Sequence, residues 1–111
     1  MEIKSRVFFA ETKLRKSFEE LKKSNLEEQE LYKHIKQALE NLKANAFSGI
    51  QIPKRLIPSV YVSKYKLDNL WKYDLPKGWR LLYTIGKEGV EVVSIILEWM
   101  NHKEYERGFK Y

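Results

Sequence analysis

Residues 69–85, Asn-Leu-Trp-Lys-Tyr-Asp-Leu-Pro-Lys-Gly-Trp-Arg-Leu-Leu-Tyr-Thr-Ile, limit the fold more than any other part of the chain. Two runs of aromatic and aliphatic side chains flank Pro76-Lys77-Gly78. Proline fixes φ and has no N–H to donate, while glycine accepts positive φ, so the three residues suit a short connection between antiparallel strands. With them as the loop, Asp74 stands opposite Arg80. The two-residue period of a strand then sorts the side chains. Trp71, Tyr73 and Leu75 share a face with Trp79, Leu81 and Tyr83, which suits a core. Lys72, Asp74, Arg80, Leu82 and Thr84 share the other, which can hold positive charge in fixed places toward a phosphate.

The chain has 111 residues, which predicts a single domain, 1–111, large enough for a working core without a metal or disulfide. It has no cysteine, which excludes disulfides, thiolate metal sites and a thiol nucleophile together. Two histidines, His34 and His102, are too few to predict a metal site, and no cofactor is expected. No window approaches ~18 uninterrupted apolar residues, so the chain reads as soluble and cytoplasmic with no membrane partner. The net charge of +6 favours polyanionic partners. Between Pro53 and Glu88 eight Lys/Arg face three Asp/Glu, so the excess surrounds the hairpin. Ion-pair networks of the kind found in thermophile proteins account equally well for the charge of the helices.

Residues 3–10 read as a first strand, rich in β-branched and aromatic side chains. Helix one is predicted over 11–23, with Leu14, Phe18 and Leu21 on one stripe. Ser24-Asn25 breaks it, and Asn25 with Glu28 forms a capping-box pattern that starts helix two, running to about residue 44. Its apolar face holds Leu31, Ile35, Ala38, Leu39 and Leu42. Residues 46–58 are expected to be an ordered loop and 60–67 an irregular edge strand. Gly86-Lys87-Glu88-Gly89 turns the chain into 90–99, a nearly continuous apolar run that suits a central strand covered on both faces. A short amphipathic helix or tail follows over 101–109. The order β-α-α-β-β-β with a C-terminal helix predicts an α+β domain, with two N-terminal helices on one face of a small twisted antiparallel sheet.

That order, the hairpin segment Gly78-Trp79-Arg80-Leu81-Leu82-Tyr83 and the closing His102-Lys103-Glu104-Tyr105 resemble the RelE/ParE superfamily of toxins from type II toxin–antitoxin systems. The likeness covers nearly the whole chain in architecture; its specific part lies in 71–85 and 99–107. The resemblance implies a RelE-like fold and one of two activities. RelE types are endoribonucleases that cleave mRNA in the decoding site of the ribosome, on the small (30S) subunit, and so inhibit translation; ParE types poison DNA gyrase without nuclease chemistry. It also implies a cognate antitoxin protein that wraps the toxin and covers key residues. By the same resemblance Arg80 is a phosphate-contacting residue, Lys72 matches a basic position on the preceding strand, and His102 and Tyr105 fall where related nucleases place a C-terminal His or Tyr. Asp74 departs from the pattern, standing where RelE itself commonly has a second cation. The His-Lys-Glu-Tyr spacing is closer to the HigB and YafQ-like branches.

RNA cleavage through the 2′-hydroxyl requires deprotonation of that hydroxyl, neutralisation of the phosphorane and protonation of the departing 5′ oxygen. A guanidinium suits the second task, being permanently charged with a fork that matches phosphate oxygens. Preorganised charge of this kind is typically worth ~10²–10³ in rate per donor. Arg80 is the candidate; its structural alternative is a cross-strand ion pair with Asp74. Lys72 is a second phosphate contact or a solvated lysine. His102, with an ordinary pKa of ~6.5, suits proton transfer, or else caps backbone groups. Tyr105 stacks on a base, serves as acid or base if Lys103 and Arg107 lower its pKa, or packs against the sheet. Lys54, Arg55, Lys64, Lys66 and Lys77 form a basic rim suited to RNA backbone, to which Lys103 and Arg107 add. Trp71, Tyr73, Trp79, Tyr83 and Trp99 read mainly as core, and His34 as a surface or packing residue. The apolar stripe of the helices, or an open sheet edge, is the expected antitoxin surface. A third possibility beside nuclease and gyrase inhibitor is a degenerate member that only binds RNA or a partner.

Overall fold

A computed structural model describes residues 2–109. The alternation of 69–85 produces the hairpin that organises the rest: β3 (Trp71–Asp74) and β4 (Arg80–Glu88) pair antiparallel, with Asp74 opposite Arg80 and Trp71 opposite Tyr83. The turn residues behave as their chemistry requires. Gly78 has φ +80°, and Leu75 N–H donates to Trp79 O at 2.8 Å to close the loop. Lys77 also adopts positive φ, +62°, a strained choice for a residue with a side chain.

Two helices cover one face of the sheet. α1 (Thr12–Leu21) buries Phe18 and Leu21, and α2 (Leu26–Ala44) buries Leu31, Ile35, Ala38 and Leu42. As its pattern predicts, Asn25 caps α2 by accepting a hydrogen bond from Glu28 N–H at 2.9 Å. The stripe packs against Leu75, Leu81, Tyr83 and Ile96, with Trp71, Tyr73, Trp79 and Trp99 along its margin. The hairpin aromatics therefore serve the core. The helical stripe is spent there too, which removes it as an open surface for a partner.

β4 pairs antiparallel with β5 (Glu91–Met100). Tyr83 stands opposite Ile96 but Leu82 opposite Glu98, so Leu97 is an extra residue at a bulge. The bulge lets Ile96 and Trp99 face the helices while Leu97 and Met100 enter the second core on the opposite side.

Three expectations are corrected. The sheet is mixed, in the order β1-β5-β4-β3-β2, because β1 (Arg6–Phe9) runs parallel to β5. The direction of β5 is set by its hairpin with β4, and β1 meets it only after most of the chain has crossed over, so no local pattern encodes the pairing. Residues 60–67 are not an edge strand: Ser59–Tyr65 form a helix, α3, so the helices are not all N-terminal or terminal. Pro58 leads into this helix, and Tyr61 and Tyr65, one turn apart, stack at 6.4 Å. That spacing outweighs the strand preference of Val60 and Val62. Finally, the loop over 46–58 supplies a short edge strand, β2 (Ile50–Gln51), paired with β3.

The second core lies on the face opposite α1 and α2. Leu70, Leu82, Leu97 and Met100 are covered there by Tyr61 of α3 and by Tyr105 and Phe109, which belong to or follow α4 (His102–Gly108). The architecture is thus α+β, with four α-helices and a five-stranded mixed sheet among the described residues. None of these helices is long and apolar enough to cross a membrane.

Candidate functional site

Lys72, Asp74 and Arg80 project from the same face of β3 and β4, as the period predicts, and meet at the end of the sheet where α4 packs. The Asp74 carboxylate joins the two cations. Lys72 Nζ donates to its two oxygens at 3.1 and 3.3 Å, and Arg80 Nε lies 3.0 Å from Oδ1. The Arg80 Nε–H is not directed along that line and finds no hydrogen-bond acceptor, so this contact is purely ionic. Nη1 donates to Trp79 O at 3.3 Å. Lys72 and Arg80 are 18% and 17% exposed, whereas Asp74 is 46% exposed.

Tyr105 closes the cluster from above. Its ring centroid is 5.5 Å from Lys72 Nζ and 5.4 Å from the Arg80 guanidinium carbon, close enough for cation–π attraction. Phe109 stacks on the same ring at 4.6 Å. α4 is started by a capping box, in which Asn101 accepts from Glu104 N–H at 2.9 Å and Glu104 accepts from Asn101 N–H at 3.0 Å, and is packed on the sheet through Tyr105 and Phe109. Asn101-x-x-Glu104 is legible in the sequence, and the capping rule applied to Asn25 would have found it.

Three predicted site residues, Arg80, Lys72 and Tyr105, therefore come together around Asp74. One carboxylate serves both cations, so half of the positive charge of this face is neutralised, and the Asp74–Arg80 contact is the cross-strand ion pair named as the structural alternative for Arg80. His102 opens α4 with an exposed side chain paired to Glu106 one turn on, while Asn101 and Glu104 do the capping. It packs at the hairpin turn, where a Cβ on Gly78 would meet His102 Cβ at 3.1 Å. Lys103 and Arg107 lie exposed on α4, and the cations at the Tyr105 ring are Lys72 and Arg80.

Two members of the basic rim, Lys64 and Lys77, are engaged by carboxylates. Lys54 and Arg55 sit in an exposed turn after Pro53, and Lys66 ends α3 in a left-handed conformation. Lys64 reaches Glu11 at 3.3 Å, and its pKa is raised by hydrogen bonds to Tyr65 and Glu11. Lys77 turns toward the helices and pairs with Glu30 of α2 at 3.0 Å, which raises the lysine and lowers the carboxyl. That pair lines a cleft of about 460 Å³ together with His34, Trp79 and Trp99. Under α3, Tyr61 donates a 2.5 Å hydrogen bond to Glu98; burial first, then that carboxylate, push its hydroxyl far above the ordinary range.

The described residues include no group of three or more His, Asp or Glu arranged to hold a metal ion. No protein-family model, curated protein or solved structure matches the chain.

Proposed function

We propose that this chain is the toxin of a type II toxin–antitoxin system, a ribosome-dependent endoribonuclease of the RelE type. The observation that carries the reading is the convergence of Lys72, Arg80 and Tyr105 on one end of the sheet, where two cations are held for a single anion. In this reading Arg80 meets the scissile phosphate and stabilises the phosphorane, with Lys72 as its second cation. His102 is exposed on the first turn of α4 and serves proton transfer. Tyr105, buried in the second core, packs against both cations and holds them in place. Lys54, Arg55, Lys66, Lys103 and Arg107 are the further candidates for contact with RNA backbone. Because the helical stripe is consumed by the core, the antitoxin adds to an open sheet edge.

Induced expression with primer extension on cellular messages tests the assignment. The wild type yields cuts in ribosome-bound mRNA, and Arg80→Ala loses them by about 10²–10³-fold while keeping its circular dichroism spectrum and melting curve. Intact messages under wild-type expression overturn it.

The burial of Arg80 against a carboxylate favours a second reading, in which the cluster is structural and the protein acts by binding alone, as ParE-type inhibitors of gyrase do. Gyrase-trapped DNA breaks with intact messages support that reading. Translation arrest with intact messages indicates a member that only binds RNA or a partner.

A further inference from the structure

We propose that Asp74 is a built-in competitor for the anion received by this site: its carboxylate occupies the place of an RNA phosphodiester between Lys72 and Arg80, and RNA binds by displacing it. The inference rests on the reading of Lys72 and Arg80 as phosphate-binding cations, and it adds the regulation of that site.

Three features support displacement. The cations are enclosed and the anion is open to solvent. Lys72 and Arg80 stem from paired strands, are more than four-fifths buried and lie against the Tyr105 ring, whereas Asp74 is nearly half exposed at the end of β3. A rotation about its Cα–Cβ bond carries the carboxylate into solvent without disturbing the sheet.

The pairing is also incomplete. Arg80 Nε–H is buried and has no acceptor in line, although the carboxylate is only 3.0 Å away. A carboxylate has two oxygens, and both are engaged by Lys72. A phosphodiester carries the same single charge, shared over two non-bridging oxygens that are set tetrahedrally with two ester oxygens, so it can direct one acceptor to Arg80 Nε–H while keeping the lysine contact. Finally, the charges set the sign of the effect. With Asp74 in place the three side chains sum to +1; with it displaced an anion meets +2.

The test is the affinity of the purified protein for a short, fluorescein-labelled 2′-O-methyl oligouridylate, which binds as RNA but has no 2′-hydroxyl to attack. Asp74→Asn is expected to bind about tenfold tighter, ~1.4 kcal/mol. Its salt dependence should steepen by up to one phosphate contact, a slope change of about 0.7 for a single strand. The gain should vanish in the Asp74→Asn/Arg80→Ala double variant. Glu88→Gln, which removes the same charge from the exposed far end of β4, should stay within about twofold of wild type.

The proposal is overturned if Asp74→Asn binds no tighter, gains no more than Glu88→Gln, or keeps its gain without Arg80. Should Asp74→Asn fail to fold, inorganic phosphate titrated into wild type and Asp74→Ser, followed by the Arg80 Nε–H resonance, gives the same answer. A shift at lower phosphate in the variant supports displacement, and equal midpoints refute it. No message cleavage enters these readouts. Tighter binding with intact cellular messages keeps the competitor and removes the nuclease; message cleavage without the binding gain does the reverse.

Discussion

The two faces of the sheet are built on different principles. On the face covered by α1 and α2, ten buried side chains from Phe18 to Ile96 form one cluster, and polar groups at its margin have directed partners. Tyr83 Oη donates to Ala46 O and accepts from Gly49 N–H, Asn41 Nδ2 donates to Tyr73 Oη, and Ser5 Oγ donates to Leu42 O. On the opposite face the apolar cluster stops short of one end, and that end is filled by Lys72, Asp74 and Arg80 beneath Tyr105. There a buried guanidinium N–H goes without a hydrogen bond. The helix-covered face is finished as a core, whereas the other leaves charge imperfectly satisfied in one place. Such imperfection costs stability, and in a folded protein it is a candidate for function.

If stability is concentrated on the helix-covered face, removing a side chain there has the largest effect. Ile35 is fully buried in α2, and Ile35→Ala should cost about 2–5 kcal/mol in urea unfolding. Leu70→Ala, equally buried on the other face, is the matched control. A greater loss from Leu70→Ala would reverse the comparison.

The margin of the same face supplies the next effect. A Cβ on Gly49 would lie 2.5 Å from Lys72 O and 2.6 Å from Tyr83 Oη, so β3 and the loop touch backbone to backbone. Gly49→Ala should destabilise by about 1–3 kcal/mol through enforced overpacking. A melting temperature unchanged from wild type would show that the loop is not pinned as described.

The smallest effect is read in alkali. Burial pushes the Tyr83 hydroxyl from 10.0 up to about 12, and the Gly49 N–H opposes the shift only in part. The folded state therefore holds this proton more tightly than the unfolded chain does. The contribution is fully present below pH 10 and is lost as pH rises from 10 toward 12. Tyr83→Phe should lower stability at neutral pH by about 1 kcal/mol, since Ala46 O and Gly49 N–H lose their partner, and should flatten the alkaline decline. Parallel urea midpoints for wild type and variant across that range check both. An equal alkaline slope in the two proteins would assign the decline elsewhere.

What the sequence disclosed follows the same division. The hairpin register could be read to the residue because a two-residue period and a Pro-Lys-Gly turn are both local. The helix stripe and the Asn25 cap were legible for the same reason. The parallel pairing of β1 with β5 was not, since it joins residues more than eighty positions apart. Nor was α3, where β-branched Val60 and Val62 concealed the one-turn repeat of Tyr61 and Tyr65. At the site, the Asp74–Arg80 opposition and the shared face of Lys72 were visible in advance. That one carboxylate would serve both cations, and that Tyr105 would lie against both, depended on how α4 folds back over the sheet. Lys77 adopts a φ of +62°, a conformation unexpected of lysine, and pairs with Glu30 of α2, which sequence spacing does not reveal.

The central claim is that a guanidinium held on this β-ribbon acts on the phosphate of a bound transcript. Primer extension on messages from cells expressing wild type or Arg80→Ala tests it most directly. The account predicts discrete cuts within translated regions for the wild type and none for an equally folded variant. Uncut messages in both, or the same cuts in both, would contradict it.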